Sequence, residues 1–300
     1  MKRFILCIFI ASLSTSIAFS FDKNGLPEEY SREYLISFTR SLIGSKEYFR
    51  ALHELKRTGS YYKNYFSPLE FFITRNYLLY MGGQYKEMNF VLDLPGDEIA
   101  GLAGRLYKID TSLRLMDYRA ARLMMPPDTA IGDPHLEKIF FKRRLFTHIM
   151  MDRLDNRREA GALSDFADFR MYHELMEGAR MDFETLKSPG LAAVLGIIPG
   201  MGHVYTGNTG TGIVAFIVVA INAAVSYYGF STGNRPLGLF VGAIGTFFYG
   251  GSILGGYLSA GNYNSSVLNN IQNGLVNDLK FNEDHDYLYR RYGIGKYDKK

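Results

Sequence analysis

The feature that most restricts the fold of this chain is a long stretch almost without charge. Residues 188–277 contain one charged side chain, Arg235. Within this stretch, residues 211–230 and 236–258 form two long, mainly apolar runs. Because a helix of about 20 apolar residues crosses a bilayer core of roughly 30 Å, the two runs predict a transmembrane hairpin. The charged residues that precede the stretch predict a domain that faces water.

The N-terminal residues predict export. A basic start at residues 1–3 precedes an apolar core at residues 4–10, and Ala18-Phe19-Ser20 offers small residues for cleavage. This order is typical of a secretory signal peptide, which we place at residues 1–20; an uncleaved signal anchor is the alternative. The one cysteine, Cys7, lies within this apolar core. The mature chain would therefore have no thiol for disulfide bonds, zinc ligation or cysteine catalysis.

The distribution of charge argues against binding of nucleic acid. The formal net charge is +4, and basic and acidic residues are mixed before the membrane stretch. Such mixing predicts a solvated surface and not a basic stripe. We therefore expect a soluble domain at residues 21–187, a membrane module at residues 188–264 and a polar tail rich in Tyr and Lys at residues 265–300. The tail fits either a membrane interface or a disordered end.

The soluble domain is predicted to be all-α and repetitive. Its apolar residues recur at helical spacing, for example at Phe49, Leu52 and Leu55. An aromatic or basic residue shortly before a small one recurs at intervals of 37, 33 and 39 residues, and the four copies are centred on Tyr48, Tyr85, Tyr118 and, more weakly, Arg157.

This recurring pattern resembles the second helix of a tetratricopeptide repeat. In such a helix the small residue lets paired helices approach, the aromatic fills the space beside it, and a proline ends the helix. Pro95 and Pro126 follow the second and third copies. The resemblance implies a domain like a tetratricopeptide array, and an irregular all-α domain is the alternative.

Candidate catalytic and metal-binding residues are few. His173 and Glu177 are four residues apart, as are His148 and Asp152, and this spacing puts two side chains on one helix face. A zinc motif of the HExxH type needs a second histidine where this chain has Glu177. We therefore interpret both pairs as solvated, and predict no catalytic residue, cofactor or metal. A pair of carboxylates like that of a glycosidase, somewhere in the soluble domain, stays open.

Glycines are abundant in the second apolar run. Gly238 with Gly242, and Gly251 with Gly255, form two GxxxG pairs. Small residues four apart let helix backbones approach closely in lipid. We predict that these glycines pack helices within the chain, and contact with a second copy, as a homo-oligomer, would use the same face.

A compact motif precedes the first apolar run. Its Pro-Gly-x-Gly-His-x-Tyr-x-Gly pattern comprises Pro199, Gly200, Gly202, His203, Tyr205 and Gly207. Residues 191–198 before it are apolar but too short to span, which predicts a half-inserted helix or one packed against the others. Glycines permit a tight reversal whose backbone polar groups need partners at that depth. We expect His203 and Tyr205 to supply such partners and not to bind a ligand.

The motif and the apolar hairpin together resemble the TM2 family of small two-helix membrane domains, over residues 188–264. They are more similar still to a bacterial variant in which such a module follows an exported, tetratricopeptide-like region. The resemblance implies a bacterial membrane protein. The signal peptide and the two spans together predict that it lies in the inner membrane, with its soluble domain in the periplasm. The resemblance implies no particular activity.

Three functional hypotheses follow. The first is a non-enzymatic, membrane-anchored envelope protein whose helical domain binds another envelope protein. The second is an envelope enzyme that uses an unrecognised carboxylate pair. The third is an accessory subunit of a membrane transport complex, although neither apolar run contains the acidic or basic residue that transport paths usually need. Membrane lipid is a predicted partner in all three hypotheses.

Overall fold

The computed structural model describes residues 31–61, 66–88, 98–127, 131–155 and 169–298. Helices account for most of these residues, and no strand occurs among them. The all-α prediction is therefore confirmed for this part of the chain. The predicted signal peptide and the repeat copy at Arg157 lie outside the described residues.

The α-helices among the described residues are numbered in chain order. They are α1 (Arg32–Gly44), α2 (Tyr48–Tyr61), α3 (Pro68–Met81), α4 (Glu98–Arg114), α5 (Tyr118–Leu123), α6 (Pro134–Asp155), α7 (Phe169–Phe183), α8 (Pro189–Leu195), α9 (Met201–Tyr205), α10 (Thr209–Ser231), α11 (Arg235–Asp278) and α12 (Phe281–Tyr292). Short 3₁₀ helices occupy Tyr85–Met88 and Ile294–Asp298.

Small polar side chains fix the starts of several helices. Ser67 accepts a hydrogen bond from the N–H of Glu70, whose carboxylate accepts one from the N–H of Ser67. This reciprocal capping box, with a proline at the first helical position, begins α3. Ser188 caps α8 and Asn234 caps α11, and each of these helices also has a proline in its first turn.

Three copies of the recurring sequence pattern follow the same kind of turn. Lys46, Gly83 and Met116 have positive φ angles of 61°, 73° and 62°, each two residues before the aromatic. The next residue then donates its N–H across 2.8 Å to a carbonyl five residues back, in the pairs Glu47 with Leu42, Gln84 with Leu79 and Asp117 with Ser112. This left-handed turn is a common way to end a helix.

The helices that follow these turns are unequal. They have 14 residues in α2, four in the 3₁₀ helix Tyr85–Met88 and six in α5. A tetratricopeptide array needs a full pair of helices in every unit. The repeated pattern therefore marks a helix-ending turn, and the tetratricopeptide arrangement is not confirmed.

The chain divides into two compact units. The first contains the described residues up to Thr111 together with those from Glu283 onward, and the second runs from Ser112 to Asn282. This division differs from the domain boundaries that the sequence predicts at residues 187 and 264.

The first unit is built around aromatic side chains from several helices. Phe72 of α3 meets Tyr107 of α4 edge to face at 6.0 Å between ring centroids. Tyr77 of α3 stacks on Tyr289 of α12 at 4.5 Å. The residues from Glu283 onward, expected to form a polar tail at a membrane interface or a disordered end, are instead helical up to Asp298 and contribute buried Leu288, Tyr289 and Ile294 to this core.

The second unit contains two helices long and apolar enough to cross a membrane, α10 and α11, as judged over the described residues. They run antiparallel through a short turn in which Gly233 has a φ of 79°. The predicted spans, residues 211–230 and 236–258, fall within them. Helix α11 does not end where its apolar run ends, because it continues to Asp278 for a total of 44 residues.

Candidate functional site

The motif lies in a segment, residues 188–208, that folds back on itself against α11. We call it the motif segment; it comprises α8, a turn at Pro199-Gly200 and α9. Helix α8 approaches α11 at Gly256 and Ile253, and α9 approaches it at Gly255 and Gly256. Both arms of the motif segment therefore rest on one stretch of α11.

The arms lie so close to α11 that their backbones touch. A Cβ atom added to Gly256 would lie 2.9 Å from the carbonyl oxygen of Ala192 and 2.9 Å from the Cα atom of Gly202. A Cβ atom on Gly196 would lie 2.9 Å from the Cα atom of Ile253. Because real side chains do not fit at such distances, glycine at these positions is required by packing.

Gly200 is constrained both by its conformation and by its neighbours. Its φ angle is +83°, a left-handed value that other residues adopt at a cost. Its backbone N–H donates to the hydroxyl of the buried Ser252 across 2.8 Å. A Cβ atom here would overlap the carbonyl of Gly212, at the start of α10. The turn of the motif is thus held between α10 and α11.

Hydroxyl groups on α11 take up polar groups of the motif segment. Besides Ser252, the buried Ser259 hydroxyl lies 2.6 Å from the Thr206 hydroxyl and accepts from the Asn208 side chain across 2.7 Å. The Tyr249 hydroxyl donates to the carbonyl of Ile197 across 3.0 Å. These bonds give partners within the protein to polar groups in and beside the chain reversal.

The two motif side chains expected to form hydrogen bonds behave differently. The Tyr205 hydroxyl accepts from the backbone N–H of Ser188 across 3.1 Å, as its predicted role requires. The His203 imidazole has no side-chain hydrogen bond among the described residues. Its ring instead packs against Gly255, where an added Cβ atom would lie 2.8 Å from Nε2. The structure therefore shows a packing contact for His203, and the hydrogen bond that we expected for it is not seen.

The two remaining motif residues, Gly207 and Pro199, make fewer contacts that restrict the residue type. Gly207 has a φ of +84° and open space where a Cβ atom would lie, so its conformation alone favours glycine. Pro199 is half-buried in the turn and directly precedes Gly200.

The glycines expected to pack the hairpin do not all lie at a contact. Added Cβ atoms would lie 3.0 Å from the Phe230 ring at Gly238 and 2.9 Å from the Ser226 hydroxyl at Gly242. Gly255 meets His203, as described above. Gly251 has no atom within 4 Å of the same hypothetical Cβ position, so the packing role within the chain that we expected for Gly251 is not seen.

The end of the motif segment nearest Lys187 is polar and aromatic. The Asn264 side chain accepts from the N–H of Lys187 and donates to its carbonyl, both at 2.8 Å. The Lys187 ammonium lies 5.2 Å from the centroid of the Tyr205 ring and 5.9 Å from that of Tyr263. Cation–π attraction of this kind holds the ammonium near two rings that also carry polar hydroxyls.

The first unit contains a buried His–Asp pair that the sequence analysis missed. His285 Nε2 lies 2.8 Å from Asp110 Oδ2, and both side chains are 0% exposed. The imidazole lies 3.8 Å from the Tyr80 ring and 5.2 Å from the Tyr107 ring, measured between centroids. Since no face of the pair reaches the surface, a substrate cannot contact it. The pair joins α12 to α4 in the core.

The rest of the described chain offers few candidate metal-binding or catalytic groups. No group of three or more His, Cys, Asp or Glu side chains there is arranged to hold a metal ion. The pairs His173 with Glu177 and His148 with Asp152 each include one side chain outside the described set.

Some residues of the site were recognisable in the sequence but were not selected. Ser252, Gly256 and Ser259 are spaced by four and three residues, so they share one face of α11. Small and hydroxylated residues on one face of an otherwise apolar helix mark a surface that another backbone approaches. His285 gave no such signal, because its partner Asp110 is distant in the sequence.

Comparison with protein-family models, with curated proteins and with solved structures found no match.

Proposed function

We propose that this chain is a membrane-anchored protein of the bacterial inner membrane, in which α10 and α11 form the anchor and a non-catalytic helical domain binds another envelope protein at the periplasmic face. The TM2-like pattern of the motif and the predicted signal peptide support the location. The apolar exterior of the anchor, described next, is the observation that carries the proposal.

The two anchor helices present their large apolar side chains outward. In the most apolar 18 residues of each helix, only 11% are buried. The core helix of a water-soluble domain is mostly buried, whereas a helix in lipid needs no protein cover. The exposed side chains include Ile213, Val214, Phe216, Ile217, Ile221, Leu239, Phe240, Phe247, Phe248 and Leu254.

The buried pair in the first unit supports an anchor with an even number of crossings. Asp110 precedes the apolar hairpin and His285 follows it, yet their side chains are 2.8 Å apart. Two groups in direct contact must lie on the same side of a membrane. The chain between them therefore crosses the bilayer an even number of times, as a two-helix anchor does.

A binding role for the helical domain is favoured over catalysis by what its described surface offers. The His–Asp pair described above is buried, whereas aromatic side chains such as Tyr34 and Phe49 are exposed, Phe49 by 60%. Exposed aromatic residues are frequent anchors of protein interfaces. The partner is then a protein and not a small substrate.

Fractionation and protease access test the anchor. The full chain should stay with membranes in alkaline carbonate, and protease added to spheroplasts should digest both residues 31–111 and residues 283–298. A protease site inserted at Gly233, in the α10–α11 turn, should be cut only after the membrane is opened. Release by carbonate, or cleavage at Gly233 in intact spheroplasts, would contradict the proposal.

Photo-crosslinking in intact cells tests the binding role. A photoreactive amino acid at Phe49 should yield a discrete adduct of higher mass, because this ring is exposed on α2. The same amino acid at Lys56, also exposed on α2, is the matched control for non-specific labelling. Equal labelling at both positions, or no adduct at Phe49, would argue against a specific partner at this face.

A further inference from the structure

Contacts along α11 define how deep the motif segment would lie in a membrane. Lys187 bonds to Asn264, and the carbonyl of Ile197 bonds to the Tyr249 hydroxyl. These contacts give the height of each residue along the axis of α11. The chain then returns, so that Thr206 is level with Ser259. Between Asn264 and Tyr249, α11 rises by roughly 22 Å at about 1.5 Å per residue.

The turn of the motif segment lies well inside the apolar run of α11. That run ends near residue 258, and Tyr249 lies nine residues before this end. Nine residues correspond to roughly 13 Å of helix, which is close to half of a hydrocarbon core of about 30 Å. Gly200 in the turn contacts Ser252, six residues before the end of the apolar run, and Gly212, at the start of α10. The turn therefore lies within one leaflet, between the membrane surface and the bilayer centre.

The outward surface of the motif segment suits acyl chains. Residues 188–208 contain no Asp, Glu, Lys or Arg. The exposed large side chains of the segment are apolar and 38–61% exposed, namely Leu191, Val194, Ile197, Ile198, Met201 and Val204. Water would meet these side chains in a soluble protein, at the cost of the hydrophobic effect.

The backbone polar groups of the turn have the hydrogen-bond partners that they would need inside a lipid bilayer. Irregular backbone at membrane depth is tolerated only where its polar groups have partners within the protein. The Ser252 hydroxyl accepts from Gly200 N–H, and the Tyr249 hydroxyl donates to the Ile197 carbonyl. At the opposite end, Lys187 with Tyr205 and Tyr263 has the composition of a membrane–water boundary.

We propose that the motif segment is a re-entrant hairpin that inserts into the acyl chains of one leaflet, the leaflet on the side of Lys187 and Asn264, and returns without crossing. The proposal rests on the proposed membrane anchor. It agrees with the even number of crossings, because a third full crossing would put Asp110 and His285 on opposite sides of the bilayer. The anchor thus occupies more area in one leaflet than in the other.

Tryptophan fluorescence tests this insertion directly, since the chain contains no tryptophan. Ile198→Trp reports the turn and Leu191→Trp reports the start of α8, at side chains 57% and 46% exposed, so that neither should disturb packing. Phe248→Trp, beside Tyr249 on α11, is the matched control for depth. Each full-length variant is reconstituted into phosphatidylcholine vesicles whose acyl chains carry bromine at either a shallow or a deep position.

We expect bromine on the acyl chains to quench both Ile198→Trp and Phe248→Trp, with little quenching of either by aqueous acrylamide. Leu191→Trp should respond more to shallow bromine. If acrylamide reached Ile198→Trp while Phe248→Trp stayed protected, the re-entrant hairpin would be wrong and the anchor would stand. If acrylamide also reached Phe248→Trp, the anchor itself would fail. Val194→Trp, at a side chain 61% exposed, provides a second probe if Ile198→Trp does not fold.

Discussion

Large side chains fill the space between helices in the first unit, whereas glycines remove that space in the proposed membrane module of the second. Tyr77 and Tyr289 stack at 4.5 Å between centroids, and the His285–Asp110 pair is fully buried. In the module, Gly202 and Gly256 bring backbones into contact while apolar side chains point outward. In water, burial of large side chains drives packing; in lipid, where outward apolar groups cost nothing, close backbone contact replaces it.

The strongest test of this difference is an added side chain at a backbone contact. Gly202→Leu should abolish the folded module, because even a Cβ atom there would overlap the carbonyl of Ala192 on α8. Gly251→Leu is the matched control, because nothing lies within 4 Å of the Cβ position at Gly251. The measurement is the amount of protease-resistant module in mild detergent. Equal tolerance of both leucines would show that backbone contact does not hold the module together.

The next largest effect is expected in the aromatic core. Asp110→Ala leaves His285 buried without its carboxylate partner, and loss of one member of a buried pair costs about 3–5 kcal/mol. Urea unfolding of the first unit, followed by limited proteolysis of the full chain, measures the change. Arg50→Ala, which removes an exposed pair with Glu47 on the same unit, should change the free energy of unfolding little. Similar losses for the two variants would mean that the buried pair is not important for this core.

A smaller effect should follow loss of one hydroxyl in the module. Ser252→Ala leaves the buried N–H of Gly200 without its acceptor, at a cost of about 1–3 kcal/mol. Ser265→Ala removes an exposed hydroxyl that bonds only within α11, and is the control. The midpoint of thermal loss of the protease-resistant module compares them. If Ser252→Ala were as stable as Ser265→Ala, water or another group would be satisfying Gly200.

The smallest expected effect concerns pH and is confined to the aromatic core. Burial raises the pKa of Tyr289 from 10 to about 12, so folding favours its neutral form. Its contribution to stability is complete below pH 10 and is lost as pH rises through 12. Tyr289→Phe cannot ionise and should move alkaline unfolding of the first unit to higher pH. Circular dichroism during an alkaline titration measures the midpoint; an unchanged or lower midpoint would contradict this.

The sequence predicted the elements whose signal is local. The two apolar runs located α10 and α11, because length and absence of charge are sufficient for a helix in lipid. Their extent was less predictable: the apolar run stops near residue 258, yet α11 continues to Asp278 with Ile271, Leu275 and Val276 buried. Those three residues have helical spacing, but their polar neighbours conceal it.

The features that the sequence did not predict depend on distant partners or on helix phase. A GxxxG match fixes the spacing of two glycines, but it does not say which side of α11 faces α9. In the structure, Gly255 lies on that side and contacts His203, whereas no atom lies within 4 Å of the Cβ position at Gly251. Phe49 has the right spacing for a core residue but is 60% exposed and packs edge-on against His53. The place of His285 in the core required knowledge of the fold around Asp110.

The position of α12 in the first unit has a consequence for the order of events during synthesis. Tyr77 donates a hydrogen bond to Asp286, which is 209 residues later in the chain. Domains generally fold as units and from the N-terminus during translation. The first unit cannot complete its core in this way. Its N-terminal helices are synthesised early, but Leu288, Tyr289 and Ile294 are added only after the whole hairpin has been translated. Completion of the first unit therefore reports that residues 112–282, which lie between its two parts, have already been made.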